Sequence, residues 1–249
     1  MKEKPLLGQQ ALVTGSARRV GKAFALALAE AGCDVIIHHG KSDAAAAQTA
    51  LEVEQRGRRA VVLQADLRSI DAIAQMAKEA TSAFPKLNIL VNSASTYPKG
   101  DFLEAGHHLQ TESAESWDES MNVNARAPFF LIQQLAPQLE GSGNGSIVNI
   151  IDRSAFVPFR SRAAHSVSKA ALLSITKLAA VTLAPKVRVN AIELGAILPG
   201  DEMTPEEREK LRWGGVESAV SALLFVLSTP FVNGETIGVK GDAFTYGGQ

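Results

Sequence analysis

The chain is predicted to fold as an α/β domain, a doubly wound parallel sheet of about seven strands with helices on both faces. Two observations predict it. Short apolar runs of strand length alternate with apolar-periodic helical segments along all 249 residues. The first run, Ala11-Leu12-Val13, ends in a turn at Gly15 and opens a helix whose apolar positions include Phe24, Leu26, Leu28 and Ala31. That strand, turn and helix stand near the N-terminus, where the first βα unit of such a sheet belongs. Residues 1–249 carry no internal repeat, low-complexity tract or linker, so they are read as one domain.

The remaining elements follow in order. Asp34-Val35-Ile36-Ile37-His38 reads as a buried second strand, and Ser42 as the cap of an alanine-rich helix reaching about Arg56. Ala60 to Gln64 is the third strand, and Ser69 caps a helix from Ile70 to Phe84. Ile89 to Asn92 is the fourth. Ser95 to Ser116 is polar and irregular, an excursion beyond that strand. A long helix is expected from Trp117 to Leu139, bent at Pro128. Ser146 to Ile151 is the fifth strand, Ala163 to Leu183 a helix and Val187 to Leu194 the sixth strand. Thr204-Pro205-Glu206-Glu207 combines a cap, a first-turn proline and a capping-box glutamate, and starts a short helix ending near Trp213. Glu217 to Leu227 is the last helix, and Glu235 to Lys240 the last strand.

Composition narrows the class. A 46% hydrophobic content supports a large core, and a formal net charge of −1 with both signs interspersed gives no basic field for nucleic acid. Cys33 is the single cysteine, which excludes an internal disulfide and fits a reducing compartment. No apolar run is long enough to span a bilayer, and Met1-Lys2-Glu3-Lys4-Pro5 precedes no signal core. A cytoplasmic protein is expected. Trp117 and Trp213 read as packing anchors. The pairs His38-His39 and His107-His108 lack the spacing and carboxylates of a metal site, so no metal is expected.

Ligands of doubly wound sheets lie beyond the carboxyl ends of the strands, so the residues there are the candidates. The turn at Gly15 offers backbone N–H groups and the positive end of a helix dipole, which suit a phosphate, and Gly21 lets the helix lie close to the sheet. After the second strand stands His38-His39-Gly40-Lys41-Ser42. An acidic residue there meets a free ribose 2′-hydroxyl, whereas cations and hydroxyls meet a 2′-phosphate, so Lys41 and Ser42 point to NADP rather than NAD. Asp66-Leu67 after the third strand is placed to hold an adenine, and the small residues of Asn92-Ser93-Ala94-Ser95 let a sugar approach the backbone. Asn124 inside a helix is a poor helix former suited to opening the hydrogen-bond ladder. Asp152 ends the fifth strand, and His165 and Lys169 share one helix face four residues apart.

Thr14-Gly15-x-x-x-Arg19-x-Gly21, Asn92-Ser93-Ala94, Asn124 and the Lys169 helix together resemble the short-chain dehydrogenase/reductase family, over essentially the whole chain. Within it, Arg19 in place of the turn's middle glycine, Asp152 in place of the usual serine and the segment His38 to Ser42 resemble the pteridine reductases. The resemblance implies a Rossmann-type fold and NADPH, with Gly15, Arg18, Arg19, Val20, His38, His39, Lys41, Ser42, Asp66, Leu67, Asn92, Ser93, Ala94, Lys169, Gly195 and Ile197 around the cofactor. It implies Arg19, Ser95 and Tyr97 at the substrate, with Tyr97 stacking on a flat ring. Residues Pro199 to Trp213 would form a lid, and the helices bearing Asn124 and Lys169 would assemble a homotetramer or homodimer.

The chain departs from the family where the catalytic tyrosine is expected: the residue four before Lys169 is His165, and the tyrosines, Tyr97 and Tyr246, stand elsewhere. Leu194 also replaces the proline that usually precedes the Gly195-Ala196-Ile197 turn. Imidazolium can donate a proton, favoured by Asp152 and opposed by Lys169. Two readings follow. One is a reductase of a small planar pterin-like ring, with Asp152 and His165 handling the proton, Lys169 on the ribose and Asn124 completing the catalytic set. The alternative is an NADP(H)-binding protein of the same fold with impaired catalysis, or a reductase of a small ketone.

Overall fold

In the computed structural model, which describes residues 4–97, 109–200, 203–209 and 212–241, one seven-stranded sheet forms in the order β3-β2-β1-β4-β5-β6-β7. The strands are β1 (Gln10–Val13), β2 (Asp34–His39), β3 (Ala60–Gln64), β4 (Leu87–Asn92), β5 (Gly145–Asp152), β6 (Val187–Leu194) and β7 (Thr236–Val239). Every pairing is parallel. The chain passes from β1 outward to β3, then returns to β4 on the other side of β1. That reversal makes the edge between β1 and β4 the topological switch point, where a ligand crevice opens.

Both faces of the sheet are covered, as the continuous apolar strands require. On one face α1 (Arg19–Glu30), α2 (Asp43–Glu54) and α8 (Gly215–Ser228) bury Phe24, Leu28, Val53 and Leu223 against Val13, Val35, Ile37 and Ile192. On the other, α3 (Ile70–Ala83), α5 (Ala127–Gly141) and α6 (Ala163–Thr182) bury Ile73, Met76, Leu131 and Leu135 against Leu12, Leu90 and Val189. Two short helices complete the set, α4 (Ala114–Met121) and α7 (Pro205–Glu209). No helix among the described residues is long and apolar enough to cross a membrane.

The core elements match the expected ones, and the differences have local causes. Ser69 caps α3 as expected, its Oγ accepting from the Ala72 N–H at 3.2 Å. Ser42 sits at the start of α2 but makes no side-chain cap bond. The long helix begins earlier than expected because Ser113 Oγ accepts from the Ser116 N–H at 3.1 Å and so caps α4. Its irregularity is not at Pro128 but in a π-helical turn, Asn122–Arg126, between α4 and α5. Pro128 follows this turn after Ala127, inside a helix that runs on from α4, so the π-helical turn ends just before the residue that can offer no N–H. Trp117 is 40% exposed on α4, a surface position and not the packing anchor expected of it. β1 carries a register irregularity opposite Asn88, whose Oδ1 accepts from the Gln10 N–H at 3.0 Å and replaces the missing ladder bond. His107-His108 and Tyr246 lie outside the described residues, as do parts of the expected lid.

Candidate active site

The parallel register gathers the candidate residues on one edge. Val13 pairs with Ile37 and Val91, Asn92 with Asn149, and Asp152 with Leu194, so the segments after these strands emerge side by side.

The turn after β1 is held from three directions. Thr14 Oγ1 accepts from the Ser93 and Ala94 N–H groups, both at 3.0 Å, tying it to the end of β4. A Cβ on Gly15 would lie 2.8 Å from Ala94 Cα, and one on Gly21 would lie 2.3 Å from Gly15 O, so backbone packs on backbone at both glycines. The third support is His38. Its Nδ1 accepts from the Gly15 N–H at 3.0 Å, and its Nε2 lies 3.1 Å from Ala65 O. The Ser16 N–H donates to the backbone carbonyl of His38 at 3.0 Å. Two expectations are thereby corrected. The Gly15 and Ser16 amides are spent inside the protein, and His38 is a buried residue beneath the turn, 2% exposed, with no surface for a phosphate. His39 is also buried, its Nδ1 3.2 Å from Asp43 Oδ1.

Donors for an anion lie one step further on, at the start of α1. Arg18 occupies the cap position, the helix has no side-chain cap, and its first turn holds no acidic residue. The opening amides of the helix thus receive no bond from the cap residue's side chain, and they stand at the positive end of the dipole. Arg19 adopts a left-handed conformation, φ +56, which favours glycine, and its Nη2 donates to Pro199 O at 2.9 Å. Lys41 is exposed at the end of β2 with Ser42 half-buried beside it. Asp66 stands at the end of β3 as expected. Its carboxylate, however, is gripped by Arg68 through Nη2 at 2.7 Å and Nε at 3.0 and 3.1 Å, and those hydrogen bonds hold it down at about 2. These features fit a dinucleotide phosphate chain along α1, with Lys41 and Ser42 beside the ribose at its far end.

At the other end of the crevice the carboxylate, imidazole and ammonium come together. His165 Nε2 lies 2.8 Å from Asp152 Oδ2. The other carboxylate oxygen of Asp152 accepts from the backbone N–H of Ser154 at 2.8 Å and from its hydroxyl. Burial alone would raise the Asp152 pKa. The hydrogen bond and charge of His165, the charge of Lys169 and the Ser154 hydroxyl outweigh it and hold the carboxyl well below the usual range. Lys169 is 3% exposed, and burial lowers its pKa against the opposing pull of Asp152. Among the described residues its Nζ donates to Ile150 O alone, at 3.0 Å, which leaves further N–H groups for a ligand. Asn92, 2% exposed, donates to Asn149 Oδ1 at 2.8 Å, while its own buried Oδ1 has no partner among the described residues.

Asn124 in the π-helical turn clasps the segment after β4. Its Oδ1 accepts from the Thr96 N–H at 2.8 Å and from Ser95 Oγ at 3.1 Å, and its Nδ2 donates to Thr96 O at 3.1 Å and Ser168 Oγ at 3.0 Å. Thr96 O in turn lies 3.2 Å from His165 Nδ1. Tyr97 is beside the site and partly exposed. Its ring meets His165 edge-on at a centroid distance of 4.7 Å, and the Arg162 guanidinium covers it at 4.6 Å, so its aromatic contacts are with the chain itself. Gly195-Ala196-Ile197 is held despite Leu194, because the Gly195 N–H donates to Val239 O at 2.8 Å and the Gly214 N–H to Ala196 O at 2.8 Å. Gly195 is also packed tightly, since a Cβ there would lie 2.4 Å from Lys240 O. The sequence reading missed Ser154, Thr96, Ser168 and Arg162. Only Ser154 had a local signal, the Asp-x-Ser spacing of a carboxylate that caps its own following turn.

Comparison with known proteins agrees with this fold. The family model for short chain dehydrogenase matches residues 9–211. The chain is 33% identical, over 95% of both chains, to 2-dehydro-3-deoxy-D-gluconate 5-dehydrogenase of Escherichia coli. It is 28% identical to a 3-oxoacyl-[acyl-carrier-protein] reductase of Staphylococcus aureus, over 95% of this chain and 98% of that one. The crystal structure of a short chain dehydrogenase from Burkholderia cenocepacia in complex with NADP superposes with a TM-score of 0.85 at 30% identity, covering 95% of this chain and 98% of that one. None of these three is named a pteridine reductase, so they support the family and not that subgroup. By the matched residues and the full-length likeness, the chain belongs to the short chain dehydrogenase family of oxidoreductases.

Proposed function

We propose that the chain is an NADPH-dependent reductase of a small planar ring with N–H groups, of the pterin or dihydropterin type. The observation that carries this reading is Asp152: an ionised carboxylate, 27% exposed at the strand edge, backed by His165 and on the side of Lys169. A carboxylate repels a developing alkoxide but complements ring N–H donors, which favours a nitrogen heterocycle over a ketone.

When bound, NADPH supplies the hydride. Arg18, Arg19 and the amides opening α1 at Val20 and Gly21 would hold its diphosphate, Lys41 and Ser42 its 2′-phosphate, and Asp66 and Leu67 its adenine. Lys169 would hold the nicotinamide ribose, against the wall formed by Asn92, Ser93, Ala94, Gly195 and Ile197. The Burkholderia relative in complex with NADP supports that choice of cofactor. The proton comes from the chain. His165, 2% exposed, faces protein groups with both ring nitrogens, so it reaches substrate only through Asp152. The proton leaves His165 Nε2 for Asp152 Oδ2 and passes from Asp152 to the ring nitrogen beside the reduced carbon. The imidazole is then reprotonated from solvent through Asp152, the more exposed partner. Arg19, Ser95 and Tyr97 border the space for the ring.

NADPH and NADH titrations followed by a panel of pterins, folates and ketones at two pH values test the reading. NADPH oxidation with a pterin supports it, and failure to bind either nucleotide overturns it. A second reading has its own support. His165 is buried and doubly engaged where the family carries its acid, which favours an NADP(H)-binding protein of impaired catalysis; tight NADPH binding without oxidation of any panel member would select it. The likeness to a sugar-acid dehydrogenase favours a ketone substrate, which the same panel distinguishes. Phe129 on α5 and Val167, Leu178 and Val181 on α6 are exposed apolar residues that suit a homotetramer through these helices, and sedimentation would show it. A single buried thiol, Cys33, is consistent with the reducing cytoplasm.

A further inference from the structure

His38 is the residue that both halves of the nucleotide crevice lean on. Ala65 O is a carbonyl and can only accept, so Nε2 carries the ring proton and Nδ1 offers its lone pair to the Gly15 N–H. The backbone of the same residue binds the same turn: its N–H donates to Ser16 Oγ at 3.2 Å and its C=O accepts from the Ser16 N–H at 3.0 Å. On the far side, Ala65 immediately precedes Asp66 and Leu67. One buried imidazole therefore spans the turn before α1 and the segment after β3.

We infer that His38, as a neutral Nε2–H imidazole, is a positioning residue for the nucleotide: by fixing the Gly15 amide it aims the start of α1 at the diphosphate. The inference rests on the NADPH reading above and goes beyond it, because His38 touches no ligand. The turn is packed without slack, since Gly15 O abuts Gly21 and Gly15 Cα abuts Ala94, so a rotation of the Gly15 peptide moves the first amides of α1 with it. An unpaired, partly buried N–H at Gly15 would favour such a rotation.

The two nitrogens can be removed separately. Asn places a side-chain oxygen where Nδ1 stands and keeps the Gly15 contact. Gln places its amide nitrogen where Nε2 stands and keeps the Ala65 contact. NADPH affinity is measured by fluorescence titration, with the melting temperature of each variant alongside. His38→Gln and His38→Ala are expected to weaken binding about tenfold or more, and His38→Asn to restore most of that loss. Affinities that track melting temperature across the variants, or equal affinities for Asn and Gln, overturn the inference. If the variants do not fold, the wild-type protein decides by nitrogen NMR. Nδ1 of His38 should have the shift of an unprotonated acceptor, and it and the Gly15 amide should move together on saturation with NADPH. Signals that stay still on saturation overturn the inference. Wild-type protein that binds no NADPH overturns the proposed function itself, a result distinct from the others.

Discussion

His165 Nε2 and Asp152 Oδ2 are 2.8 Å apart, and the opposite nitrogen of the same ring lies 3.2 Å from Thr96 O. The imidazole thus faces an acceptor at each end while almost wholly shielded from water. In the proposed function this pairing serves as the site's proton store in place of a phenol, and the proton passes to substrate through Asp152, the more exposed partner.

Asp152→Asn is the direct test of that store. The amide cannot carry a proton between His165 and substrate, so kcat should fall about a hundredfold or more. NADPH affinity should change little, because the carboxylate makes no contact with the α1 end of the crevice. Removing one member of a buried pair costs about 3–5 kcal/mol, and partial exposure of Asp152 reduces the expected loss to about 2 kcal/mol. Steady-state kinetics, nucleotide titration and urea unfolding read the three effects separately. Equal losses of affinity and kcat would point to collapse of the site.

His165→Tyr separates the two functional readings. The phenol removes the His165 charge that helps depress the Asp152 pKa, so that pKa rises while the Lys169 charge and the Ser154 hydroxyl still oppose burial. If the dyad is the working acid, turnover of the ring substrate falls in the variant. Its pH–rate profile also shows the Asp152 ionisation at a higher pH than in the wild type. If the site is impaired, the variant instead gains turnover across the panel. Stopped-flow NADPH oxidation over about pH 5 to 8 distinguishes the outcomes.

What the sequence makes legible here is what is local. Asp34 to His38 and Ala60 to Gln64 are apolar runs of strand length, and Ser69 sits one residue before a periodic helix, so β2, β3 and the start of α3 lie where their own residues place them. The grouping of Asp152, His165 and Lys169 is legible for the same reason, through helix spacing and the rule that sheets bind at their carboxyl edge. His38 is not. The apolar run marks a strand but does not say whether its last residue lies under or over the neighbouring turn, and the partners that decide this, Gly15 and Ala65, are 23 and 27 residues away. Thr96 is hidden more deeply still, since it acts through a backbone carbonyl that any residue would supply. The π-helical turn has no side-chain periodicity of its own, and Pro128 drew the expected bend to itself.

Gly21→Ala should uncouple the first helix from the turn. The new Cβ would lie 2.3 Å from Gly15 O, a backbone atom that cannot swing aside like a side chain. The helix must move away or the turn must rotate, at about 1–3 kcal/mol by analogy with overpacked cores. Either movement displaces the amides that would face the diphosphate in the proposed function. NADPH affinity should fall more than tenfold with a modest loss of melting temperature. Binding at the wild-type level would show that α1 does not hold the nucleotide.

The burial of a neutral His38 makes the fold itself sensitive to acid. Burial lowers its pKa from 6.5 to about 4, the Ala65 carbonyl works against that shift, and His39, the neighbouring imidazole, adds to it. In the unfolded chain the residue takes up a proton near its ordinary value, so between those two limits the unfolded state binds more protons than the folded one. Stability therefore rises with pH across the window, is complete above about 6.5, and is lost progressively as pH falls towards 4. The full difference is about 3 kcal/mol at roughly 1.4 kcal/mol per pKa unit. Asp152 acts in the same sense at lower pH, since a carboxyl depressed in the fold is lost as a stabiliser below its unfolded value. Urea denaturation at intervals between about pH 4 and 7 should show the rise, and His38→Asn, which cannot titrate, should flatten it even though that variant is less stable throughout. The same slope in both proteins would assign the acid sensitivity to other groups.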